Sequence, residues 1–318
     1  MAKQPKPSAT NREQVFTFLA KELINDMPKR KVQIEGDLNS SMHHEKAGMF
    51  LFGYYWLFSN YLNLAVGKRL EGEDSSSDVK LALDYALDGL KLEAQITPIR
   101  IAEYGDEFEL TTLDSLLKVW GLAAYYNFEE PLKWLPKFIM PHLANEDASW
   151  QLRDNDNCFA EFALLLIKAS ISGEWPKQFN EKSLGGFAPL IAKVTDQVEF
   201  NKFLPEYLDF RWANSFGWDH VNAKRKRSTG EEGSVFGGLW WGVMIPFELY
   251  ILKSVFESTS GGTIHFDTDH PAFVFSESLL SSCQHGGVTE ETDFTTRLKS
   301  IAEDEFGIGW DVGLIASE

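Results

Sequence analysis

From Ala47 to Val66 the chain runs for twenty residues, "AGMFLFGYYWLFSNYLNLAV", without a single charge. A helix of that length reaches about 30 Å, the thickness of the hydrocarbon core of a bilayer. The run must therefore be either a membrane span or the centre of a substantial core. Its polar content decides between them. Tyr54, Tyr55, Ser59, Asn60, Tyr61 and Asn63 each carry a group that needs a hydrogen-bond partner, and lipid supplies none. The spacing predicts a helix from His44 to Leu70 that is buried in protein.

A second apolar run, "VFGGLWWGVMIPFELYILKSVF" from Val235 to Phe256, poses the same choice. Its uncharged part ends at Phe247, too short to cross a bilayer. Proline suits a first helical turn, so regular helix is expected to begin near Pro246. Glu248 then sits in that turn, where free backbone N–H groups stabilise a carboxylate. A buried acid also needs a cationic or hydrogen-bonding partner, and Arg211 and Arg225 are the candidates. Glu248 reads as a structural pin rather than a catalyst.

The remaining pattern is helical. Val15, Phe16, Leu19, Leu23 and Ile24 recur at helical spacing between Arg12 and Met27, after a polar tail over 1–11. Further helices are expected over Val79–Gln95, Thr111–Asn127, Glu130–Leu143, the buried segment after Asn157, the segment after Thr195, and Asp293–Glu305. The serines of "EGEDSSSD" (Glu71–Asp78) are suited to cap the helix that follows them. Strand-like alternation is confined to "KVQIEG" (Lys31–Gly36) and "GTIHFD" (Gly262–Asp267). The fold class is therefore all-α, with at most a minor short hairpin and antiparallel helices packed in one or two subdomains. A boundary near 147/148 would divide the chain into an N-terminal helical part, 12–147, and a C-terminal one, 148–318; one continuous core is the alternative.

With 318 residues, 10 Trp and 24 Phe, there is ample material for a large core. The balance of 30 basic to 47 acidic residues, a net charge of −17, repels nucleic acid and anionic membranes and steers basic partners inward. Cys158 and Cys283 are too few to staple such a fold and read as small buried residues. The polar N-terminus carries no apolar core of a signal peptide, so a reducing cytoplasm is the expected address.

Chemistry-bearing motifs are sparse. "HFDTDH" gathers His265, Asp267, Asp269 and His270, suitable ligands for a divalent metal, although no HExxH helix accompanies them. "HHEK" (His43–Lys46) reads as a solvated helix start, because adjacent helical side chains diverge. "RDNDN" (Arg153–Asn157) lacks the glycine and closing glutamate of a calcium loop. The basic "KRKR" (Lys224–Arg227) is followed at once by Glu231 and Glu232. Nucleophile elbows and phosphate-cradling glycine loops are missing, and nothing argues positively for an enzyme, a cofactor or a resident metal.

The C-terminal half carries an ordered set of features. Trp212 and Trp218 flank "ANSFG"; "FGGLWWGVMIPFEL" (Phe236–Leu249) then brings Trp240, Trp241 and Glu248; "DTDHPAF" (Asp267–Phe273) and "SESLL" follow. This set resembles the PoNi family, immunity proteins paired with polymorphic nuclease toxins of type VI secretion systems. "DSLLKVWGLAAYY" and "RDNDNCFAEFALLL" look like helices that join that family's two domains. The likeness covers Met42 to Leu280 and is most specific from Trp212 to Pro271. It departs from the family pattern at Pro246 and at Thr268, which splits the acidic pair. The resemblance implies a helical, non-catalytic binder that neutralises a cognate nuclease toxin, with Trp212, Trp218, Trp240, Trp241 and Glu248 as structural residues.

Four acidic groups are candidates for the toxin-binding surface: Glu71, Glu73 and Asp74; Asp154 and Asp156; Glu231 and Glu232; Asp267 and Asp269. The aromatic content also leaves room for a homodimer. Two other readings stay open, a metal-dependent hydrolase built on the "HFDTDH" loop and a helical adaptor for another basic partner.

Overall fold

A computed structural model describes residues 8–43, 47–104, 113–144, 158–213, 243–286, 292–307 and 309. Among these residues every regular element is helical. The chain opens with three long helices, α1 (Arg12–His43), α2 (Ala47–Leu70) and α3 (Ser76–Tyr104). Next come α4 (Leu113–Tyr125), α5 (Glu129–Ala144) and α6 (Cys158–Ser172). Two short helices, α7 (Glu181–Leu184) and α8 (Ala188–Lys193), flank a 3₁₀ turn at Gly185–Phe187. The last four are α9 (Gln197–Ala213), α10 (Phe247–Ser260), α11 (Pro271–Leu280) and α12 (Asp293–Phe306).

The uncharged run becomes α2 because α2 lies between α1 and α3, and a helix in that position must be apolar on most of its circumference. Phe58, Leu62, Ala65 and Val66 enter the larger of two buried clusters. Tyr54, Leu57 and Leu64 enter the smaller one, which α12 closes with Phe294, Ile301 and Ala302. Two of the polar tips find side-chain partners on neighbouring helices. Tyr54 donates to Glu93. Asn60 accepts from Arg30 Nη1 at 3.1 Å and donates to Asp37 Oδ2 at 2.9 Å. Among the described residues no helix is long and apolar enough to cross a membrane.

That same stitching overturns one expectation. The helix over Arg12–Met27 does not stop at a polar break; it continues through Pro28 to His43, and "KVQIEG" is part of it rather than a strand. Ile34 is buried in the smaller cluster while Val32 is 68% exposed, so the short alternation reflects one helical stripe, with Asn60 tying the polar face to α2. The other strand candidate, Gly262–Asp267, is irregular backbone belonging to no sheet. Asp74, not a serine, caps α3, accepting from the Ser76 N–H at 3.0 Å; Ser75 is fully buried.

The larger cluster contains residues from both sides of position 148, from Val15 on α1 to Leu280 on α11. Within it α4 packs against α10. A Cβ added at Gly121 on α4 would lie 2.6 Å from the Phe247 carbonyl oxygen, so glycine is what lets the two backbones meet. Gly261, at φ 70°, ends α10 in the left-handed conformation and releases an irregular strap, 262–270, that is hydrogen-bonded to α9 and leads to the start of α11.

Candidate functional site

Glu248 occupies the first turn of α10 and is fully buried. Of the two arginines expected to meet it, Arg211 does so: its Nε donates to Glu248 Oε1 at 2.5 Å. Tyr207 OH donates to the same oxygen at 2.8 Å. The other guanidinium nitrogens reach the lead-in to the helix, Nη1 to Val243 O at 2.9 Å and Nη2 to Ile245 O at 2.7 Å. Trp212 Nε1 also donates to Val243 O, at 3.1 Å. The Phe247 ring lies under the guanidinium, 5.6 Å from its centre, and has the buried Lys118 ammonium 5.9 Å away. These residues form a clamp that fixes 243–248 against α9.

The "HFDTDH" segment forms the strap, and its two histidines part company there. His265 is exposed, whereas His270 is fully buried. His270 Nδ1 accepts from the Ala272 N–H at 3.3 Å, capping α11, and Nε2 lies 3.3 Å from Asp209 Oδ1. With Nδ1 accepting, the ring proton must sit on Nε2 and point at Asp209. Arg12 completes the group with a bidentate pair to Asp209, Nε at 2.9 Å and Nη2 at 2.8 Å. Burial holds the His270 pKa down, against the pull of Asp209. For Asp209 burial acts upward, but hydrogen bonds from His270 and Arg12 outweigh it and the pKa falls below the ordinary value. Both ring nitrogens of His270 are thus occupied, and among the described residues no three His, Cys, Asp or Glu side chains are placed to hold a metal ion.

A groove of about 1230 Å³ opens between α5, α10 and the strap. Tyr125 and Tyr250 line it, their rings edge to face at 4.9 Å. Tyr250 OH donates to Glu277 Oε1 at 2.9 Å and lies 2.8 Å from Ser276 Oγ. Burial raises the Glu277 pKa despite the Tyr250 hydrogen bond and Lys253; burial also pushes Tyr125 up to about 12. The strap wall is held from behind. The Gln197 side-chain amide accepts from the His265 N–H at 2.9 Å and donates to its carbonyl at 2.7 Å. Asn201 Oδ1 accepts from the Asp267 N–H at 3.3 Å, and Glu257 Oε1 from the Ile264 N–H at 2.9 Å.

Of the acidic candidates, Glu71, Glu73 and Asp74 stand exposed at the α2–α3 turn, and Asp267 and Asp269 stand exposed on the strap. Hydrogen bonds from the Ser76 backbone and hydroxyl keep the Asp74 pKa low. Asp154, Asp156, Glu231 and Glu232 lie outside the described residues, as do Trp218, Trp240, Trp241 and Arg225. Trp212 is fully buried. Tyr250, Glu277, Gln197, Arg12 and Asp209 were not singled out by sequence reasoning. Only Asp209, an acid inside the apolar "YLDFRW" run, carries a local signal of its role. Cys283 is buried and its pKa is raised by burial, which suits an inert packing residue.

Comparison with protein-family models, with curated proteins and with solved structures gives no match.

Proposed function

We propose that this protein is an immunity-type binder that neutralises a cognate secreted antibacterial toxin, a nuclease of the type VI secretion class, through its acidic surface. The observation that carries the reading is the disposition of charge. Two candidate acidic groups, Glu71–Glu73–Asp74 on the α2–α3 turn and Asp267–Asp269 on the strap, stand exposed on a chain with net charge −17. The buried Glu248 and the half-buried Asp209, in contrast, are committed to ion pairs within the fold. A nuclease presents a basic cleft to phosphate, so an acidic binder gains both steering and competition for that cleft. The resemblance to the PoNi family points the same way.

Co-expression with the product of an adjacent toxin gene, followed by pull-down, tests the pairing. Association kinetics then test its physical basis. Between about 0.01 M and about 1 M salt the screening length shrinks from about 30 Å to about 3 Å. The on-rate of the complex is expected to fall steeply over that range. An on-rate independent of salt overturns binding by the acidic surface.

A further inference from the structure

We propose that the groove between α5, α10 and the strap receives an extended segment of the partner protein, one that carries a basic side chain beside an apolar one. The proposal rests on the reading of this chain as a binder of a basic partner, and it places that contact. Three observations support the choice of occupant.

The first is size. At about 1230 Å³ the groove exceeds the clefts of about 300–1,000 Å³ that enclose small ligands. The second is backbone. The strap belongs to no helix or sheet, and Gln197, Asn201 and Glu257 satisfy the N–H groups of His265, Asp267 and Ile264. Phe266, which lines the groove and is half-buried, has an N–H and a carbonyl with no partner among the described residues. An extended ligand can complete that pair by adding alongside the strap, with pockets reading alternate side chains.

The third is the pairing of charge with an exposed apolar surface. Glu129, Glu257 and Glu277 line the groove together with Lys133, Lys137 and Lys253. Lys133 lies 3.8 Å from Glu129, and Lys253 lies over the Phe266 ring at 5.8 Å. The strap adds Asp267 and Asp269, both exposed, immediately beyond groove-lining His265 and Phe266, so the rim is negative by two. Ile171, at the end of α6, lines the groove while 44% exposed. A basic side chain thus finds carboxylates on the strap, and an apolar neighbour covers Ile171 and Leu132.

The test uses the full chain and three variants, Ile171→Ser, Asp267→Lys and Glu73→Lys, each at an exposed side chain and each checked by circular dichroism for unchanged helicity. The first probe is a displayed library of random dodecapeptides selected on the wild-type chain. Enriched peptides are expected to place Lys or Arg beside an apolar residue. Their binding is expected to weaken at least about tenfold in I171S and D267K, and less than about threefold in E73K. No enrichment, equal binding to I171S and wild type, or equal losses in D267K and E73K overturns the proposal. The second probe is the adjacent-gene toxin. If it binds wild type and both groove variants equally, the groove is not its site, although the immunity reading stands. If no such toxin binds while the peptides do, the immunity reading fails and the groove stands.

Discussion

Two ion pairs start two residues apart on α9 and face opposite ways. Asp209 and Arg211 are separated by about 200° around the helix. Arg211 turns inward to Glu248, with side chains 1% and 0% exposed. Asp209 turns outward to Arg12, with side chains 15% and 21% exposed. The inner pair is dry: Glu248 also accepts from Tyr207, and Arg211 also donates to two backbone carbonyls. The outer pair borders solvent and shares its acid with a histidine. Both tie distant parts of the chain to one helix, yet their energetics differ in kind. Desolvation makes the inner pair dangerous to break and of little net benefit over an apolar filling. Solvent and salt make the outer pair weak but tunable.

Breaking the inner pair on one side should have the largest effect. Arg211→Ala leaves Glu248 buried without its cation and removes two donors from the 243–245 lead-in. A loss of about 3–5 kcal/mol in unfolding free energy is expected, read from the urea midpoint. The comparison is sharpened by replacing both partners. In R211M/E248Q the carbonyls keep other donors, Trp212 Nε1 on Val243 and the Phe247 N–H on Ile245 at 2.9 Å, and the amide oxygen at position 248 still accepts from Tyr207. The double variant should therefore recover at least half of the loss. A double variant no more stable than R211A would show that the clamp contributes net stability rather than only a penalty for its disruption.

The contrast also explains which features could be read from the sequence. Glu248 was legible as a pinned acid because a charge inside an apolar run has few physical outcomes, and Arg211 lies in the helix just upstream. The α2 helix was legible because six polar tips in an uncharged run exclude lipid. The continuation of α1 past Pro28 was not, since its polar residues are stabilised by Asn60, thirty residues away from Arg30 in sequence. The strap misled for a related reason. "GTIHFD" alternates like a strand, but side chains of Gln197 and Asn201, rather than a neighbouring strand, satisfy its backbone. The groove left no trace in the sequence, because Tyr125, Tyr250 and Glu277 come from three helices and each alone reads as core.

The outer group makes an intermediate prediction through His270. Burial lowers its pKa in the folded chain, so on acidification the unfolded chain binds a proton first, near the ordinary value of about 6.5. The folded state is then progressively disfavoured as pH falls below that value. Protonation of Nδ1 also removes the acceptor that caps α11. Wild type should lose stability from pH 7 to about pH 5, measured by urea unfolding. His270→Gln should be flatter over the same window, at a cost of about 1 kcal/mol at pH 7 from the weakened cap. Asp209, whose pKa is lowered, gives up its contribution only at more acidic pH, below its ordinary value of 3.8, so the two groups are separable by titration. A slope unchanged in H270Q would assign the acid sensitivity to other groups.

The smallest effect belongs to Arg12. Its bidentate pair with Asp209 joins α1 to α9 across 197 positions of chain, which makes it look important on geometry alone. Partial exposure argues otherwise, because water and ions already solvate both partners. Removing Arg12 also leaves Asp209 with its second donor, His270. Arg12→Ala is expected to cost about 0.5–1 kcal/mol at low salt and less as salt is raised, while the R211A loss should hardly change with salt. Equal salt sensitivity in the two variants would break the distinction between the dry pair and the wet one. A loss in R12A approaching that in R211A would show that the α1–α9 contact, rather than the clamp, is the principal brace of α9.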